Sequence, residues 1–148
     1  MTEPPLNDIE LADLRCLAGM IVPASTKYDV PGADDPRIFG DIVNSIGRDL
    51  DRVHAALATL RSLAGGPFAA LDAPRRNAVA ATLRAEGGRA VGVVTRIVLL
   101  CYYRDDRVML SLGLEPRPPF PKGHAIEQGD WSLLDPVRRR KPFWRPVP

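Results

Sequence analysis

Ile38, Ile42, Ile46, Leu50, Val53, Leu57, Leu60 and Leu63 recur at steps of three and four. That spacing lays side chains along one face of an α-helix. Arg48, Asp49, Asp51, Arg52 and Arg61 interleave with the stripe and would face water. Asp35-Pro36 supplies an N-cap carboxylate and a proline in the first turn, where its missing N–H costs nothing. Gly65-Gly66-Pro67 supplies the stop. One long amphipathic helix is expected between these signals. Such a helix must bury its stripe against other elements, so the rest of the chain decides the fold.

The rest also reads as helix. Asn7-Asp-Ile-Glu10 has the pattern of a capping box. Ile9, Leu11, Leu14, Leu17, Met20 and Ile21 follow it as an apolar face that ends near Val22-Pro23. Residues 23–35 carry two prolines and a Pro-Gly turn signal, which predicts a loop. Asp72-Ala-Pro74 opens a further helix with Val79 and Leu83, closed by Gly87-Gly88. Val91–Tyr103 is apolar on nearly every side, Arg96 being its one charge, which places it at the centre of a bundle. Its Val and Ile content would also suit a strand, but no second strand exists to pair with it. Asp105–Gly113 predicts a brief helix with acidic residues in its first turn and glycine at its end.

Beyond Leu114 the helical period stops. Leu114–Pro148 holds eight of the fifteen prolines and seven basic against four acidic side chains, while the whole chain has a formal charge of only +2. The positive character therefore belongs to the tail. A segment so rich in proline builds no core of its own, and is expected to lie extended along something else. The expectation is an all-α protein: a small bundle of about four or five helices over residues 1–113, followed by an extended Pro-rich C-terminal arm over 114–148.

Several activities find no support in the residues. Cys16 and Cys101 make no zinc or iron–sulfur ligand set, and both sit in apolar runs as small hydrophobes, with an inter-helix disulfide left open. His54 has no second ligand one helical turn away, and His124 stands beside Gly123 without an orienting group. Gly87-Gly88 follows no strand, so it is a helix break and not a nucleotide-binding turn. No nucleophile, base and orienter come together, so no catalytic residue, metal or cofactor is assigned to this chain. The first residues carry neither a basic and apolar leader nor twin arginines, and the expected location is cytoplasmic. No apolar stretch is long enough to span a bilayer.

Three stretches together resemble one family. Ile21-Val-Pro23 leads to Pro31-Gly32-Ala33-Asp34 and Ile38–Val43. Tyr102-Tyr103 continues through Asp106-Arg107-Val108 to Leu112-Gly113-Leu114, and Arg117–Gly123 reads Arg-Pro-Pro-Phe-Pro-Lys-Gly. In that order, over roughly residues 8–125, they are similar to the gluconate 2-dehydrogenase subunit 3 family on spacing and helical content. These are small (gamma) subunits of FAD-dependent sugar and alcohol dehydrogenases. The resemblance implies a subunit without cofactor that binds, stabilises and helps to fold a large flavoprotein of the glucose–methanol–choline type, with the FAD in that partner. Many members begin with a twin-arginine signal. This sequence starts directly at its first helix, as a cytoplasmic branch would.

The expected partner contacts are Tyr102, Tyr103, Pro119, Phe120, Pro121, Trp131, Arg138, Arg139, Arg140, Phe143 and Trp144. Aromatic anchors and arginines of this kind dominate protein interfaces. The competing expectation is nucleic-acid binding, since Arg138–Lys141 with Phe143 and Trp144 could neutralise phosphates and stack on bases.

Overall fold

The computed structural model describes residues 6–118, 123 and 127–141. The chain divides into two compact units, Met1–Pro116 and Arg117–Pro148.

In the first unit, α1 (Asp8–Ile21) starts on the expected capping box. Asn7 accepts from the Glu10 amide at 3.0 Å, and Glu10 accepts from the Asn7 amide at 3.0 Å. Such a cap is worth about 1 kcal/mol. The loop that follows folds back, with Ser25 and Val30 exchanging backbone hydrogen bonds as an isolated bridge. Helix α2 (Pro36–Asn44) starts where Asp35 accepts from the amides of Arg37 and Ile38.

The single long helix expected over the isoleucine–leucine stripe does not form. It breaks after α2, passes through a 3-10 turn at Gly47–Asp49, and resumes as α3 (Leu50–Ala64). Gly47 takes φ +42°, a left-handed conformation that glycine alone adopts without strain. The break lets two shorter helices each press their share of the stripe onto α5. Ile38, Ile42, Ile46, Val53, Leu57 and Leu60 are all buried on the two sides of it.

Gly65 closes α3 in the left-handed region, and a 3-10 turn, Phe68–Ala70, drops the wholly buried Phe68 into the core. Helix α4 (Ala73–Glu86) is capped by Asp72 and ends at Gly87. Helix α5 (Arg89–Tyr103) packs against α1, α2, α3 and α6 (Asp106–Ser111), and so forms the axis of the bundle. Among the described residues, all buried apolar side chains lie between Leu6 and Val108.

In the second unit, Asp130 caps a 3-10 turn, Trp131–Leu134, that runs into a short helix, α7 (Asp135–Arg138). This part of the arm is helical and not extended, because an aspartate cap and Pro136 in the first turn of α7 both favour helix there. The described residues contain seven α-helices, against the four or five expected, and no strand. The excess comes from the divided stripe and the arm. None of the α-helices is long and apolar enough to cross a membrane, among the described residues.

Candidate partner interface

Helix α5 does not have the all-round burial that its composition predicted. Val94, Ile97, Val98, Cys101 and Tyr102 are buried, but Gly92, Arg96, Leu100 and Tyr103 form an outward stripe at steps of four and three. Leu100 is 56% exposed and Tyr103 55%. The neighbouring tyrosines thus separate. Tyr103 is displayed, whereas Tyr102 turns inward to 5% exposure and meets its neighbour edge-to-face at 5.3 Å. Tyr102 is therefore a core residue and not a surface anchor, since consecutive helical positions point about 100° apart. Burial raises its phenol pKa.

Charged groups hold this region in place. Arg96 reaches Asp49 at 2.6 Å, and Arg52 joins the same carboxylate at 2.8 Å. Arg104 spans to Asp41 at 2.6 Å and to the Ser45 hydroxyl at 2.7 Å, tying the end of α5 to α2. Arg107 bridges Asp105 at 2.9 Å and Asp35 at 2.8 Å, so one guanidinium joins the caps of α6 and α2. The Arg107 hydrogen bonds hold the carboxyls of Asp35 and Asp105 below their ordinary range, and Arg104 does the same to Asp41. Each of these groups neutralises a partner on another element or cap, so together they act as a clamp.

The clamp sets the direction of α6. Val108 goes into the core, while Leu110 and Leu112 stay outside. Leu110 and Arg107 line a shallow groove of about 630 Å³, with Tyr28, Val30 and Pro31 of the α1–α2 loop on its other wall. Tyr28 is 63% exposed and Leu110 60%. A second groove, about 640 Å³, lies between α1, α4 and α5 over Leu17, Met20, Ala80, Leu83 and Val94.

Polar contacts that the sequence did not disclose tie α1 to α3. His54 Nδ1 lies 3.0 Å from the Glu10 carboxylate, and the partly exposed imidazole is lightly packed between α1 and α3. Burial works against the charged form of Glu10, but the Asn7 amide and His54 prevail and lower its pKa. Asp13 is wholly buried, accepts from the Ala69 amide at 2.9 Å and lies 3.8 Å from Arg61. Its place was legible in principle, because Asp13 falls three residues after Glu10 and one before Leu14 on the buried side of α1.

Both cysteines are free thiols. Cys16 accepts from Arg76 Nη1 at 3.2 Å, and burial raises the Cys101 thiol pKa. No group of acidic, histidine or cysteine side chains is arranged to hold a metal ion, among the described residues.

Of the arm residues expected to touch a partner, Trp131 is exposed, and its indole donates to Gln128 at 3.4 Å. Arg138, Arg139 and Arg140 are exposed as well. Arg138 meets Asp135 at 3.5 Å, and Arg139 donates to the Asp135 carbonyl at 3.2 Å. Pro119, Phe120, Pro121, Phe143, Trp144 and His124 lie outside the described residues.

The chain matches no family model, no curated protein and no solved structure. Leu100 and Tyr103 share the outward face of α5, whose end is held to α2 by the Arg104–Asp41 ion pair.

Proposed function

We propose that the chain is a non-catalytic small subunit that binds a large FAD-dependent dehydrogenase of the glucose–methanol–choline type, stabilising it and helping it to fold. The observation that carries the binding role is the outward stripe of α5. Leu100 and Tyr103 stand on the central helix of the bundle, where burial would otherwise be expected. Tyr28 and Leu110 offer further exposed apolar side chains, at the groove beside α6. A rigid helix face with an aromatic and an aliphatic anchor is an efficient docking element, because little side-chain freedom is lost on contact. The choice of a flavoprotein as partner rests on the sequence resemblance, and the cofactor belongs to that partner.

Co-expression with the neighbouring gene product tests the proposal, followed by affinity capture and an absorbance spectrum. A yellow complex is expected, together with a flavoprotein that is insoluble without this chain. Leu100→Glu with Tyr103→Glu should release the flavoprotein while the circular dichroism of the chain stays unchanged. A folded, colourless chain that captures no flavoprotein overturns the proposal.

A further inference from the structure

The second unit carries a surface of a different kind. Over Trp131–Arg138, the steps of three between Trp131, Leu134 and Val137 place three apolar side chains on one side of a continuous helical turn. Leu133 flanks them. All four are exposed, Leu133 to 74% and Trp131 to 62%. Four consecutive cations follow at once: Arg138, Arg139, Arg140 and Lys141. The two acids of the segment are already engaged. Asp130 accepts from the amide and hydroxyl of Ser132, and Asp135 meets Arg138. Arg140 and Lys141 have no ion pair among the described residues.

From this juxtaposition we infer that Trp131–Lys141 is a peripheral membrane-binding element that lies on anionic lipid. The two halves of the segment select the partner together. Arg138 ends α7 and Arg139–Lys141 run on past it, and four cations in a row are too many for one shaped pocket to pair. A plane of negative charge pairs them all, because its field is diffuse. Nucleic acid is also a diffuse polyanion, but a phosphate backbone offers nothing to Leu133, Leu134 and Val137. The boundary between lipid headgroups and acyl chains accepts aliphatic side chains, and it is where tryptophan is most at home. Trp131 and Arg138–Arg140, expected from the sequence to grip the flavoprotein, would then hold the protein on a membrane surface without any spanning helix. The inference uses residues separate from the α5 face and stands whether or not that face binds a flavoprotein.

Co-sedimentation of the full chain with vesicles tests it, using phosphatidylcholine alone against phosphatidylcholine mixed with phosphatidylglycerol. Binding to the mixed vesicles is expected, at least about tenfold stronger than to the neutral ones and weakened by added salt. The charge variant R138Q/R139Q/R140Q/K141Q and the apolar variant W131S/L134S should each lose most of that binding. Neither touches a core residue, since Trp131, Leu134 and residues 138–141 are all exposed, and circular dichroism confirms folding. With Trp144→Phe as background, Trp131 fluorescence should shift to the blue on mixed vesicles only. Equal binding to both vesicle types, or unchanged binding by the charge variant, overturns the inference. Retention on unrelated duplex DNA with no vesicle binding overturns it in favour of nucleic acid.

Discussion

Arg107 is the side chain on which most of the ion-pair frame depends. It closes on two carboxylates from different helix caps, and the Asp105 side chain is only 4% exposed. Removing the guanidinium leaves Asp105 buried with the weaker, 3.9 Å contact to Arg37. Because Arg107 itself is partly solvated, the loss is below that of a fully buried pair. We expect Arg107→Ala to cost about 2 kcal/mol and to lower Tm by roughly 8 °C, measured by thermal denaturation. The same frame sets the acid response. Asp35, Asp41 and Asp105 all have folded pKa values below their unfolded value of about 4. Their stabilisation is complete above that value and is lost as the pH falls through the lower folded values. Tm should therefore be flat from about pH 5 to 7 and drop below about pH 4. Arg107→Ala should make that acid drop shallower, because the Asp35 and Asp105 carboxyls return toward their ordinary range.

At the scale of elements, chain turns carry as much information as helices. Gly32 sits where the α1–α2 loop doubles back, and a Cβ there would stand 2.9 Å from the Ala24 backbone nitrogen and against the Asp34 carboxylate. The side chain of Asp34 can swing, but the backbone of Ala24 is held by its neighbours in the loop. Gly32→Ala should therefore cost about 1–3 kcal/mol, read from urea unfolding with an unchanged slope. Gly47 shows the opposite limit of sequence reading. Periodicity ran through it without interruption, since one residue in a left-handed turn alters direction while the count of threes and fours continues. The caps at Asn7, Asp35 and Asp72 were legible because capping is local chemistry.

At the scale of the whole molecule, the apolar core of the described residues lies within the first unit. Its members run from Leu6 to Val108, with Phe68, Leu57 and Leu60 among the most deeply buried. A chain ended at Pro116 should consequently keep its helical circular dichroism and cooperative melting, with Tm within a few degrees of the full chain. It should also lose all vesicle binding while retaining capture of the flavoprotein. A truncated chain that melts without cooperativity would mean that the second unit contributes to the stability of the first.

The all-α class, the helices α1, α4, α5 and α6, and the caps at Asn7, Asp35 and Asp72 followed from the sequence by itself, because each depends on residues within a turn or two of one another. So did the singling out of Trp131 and the arginine run, which contrast in composition with everything before them. Only the tertiary structure decided that the long stripe breaks at Gly47, that Tyr102 is buried while Tyr103 is not, and that His54 meets Glu10. Each of these depends on where another helix lies. The exposed stripe of α5 belongs to the same group: Leu100 and Cys101 are equally apolar in sequence, and the packing of α2, α3 and α6 around one axis determines which of them faces outward.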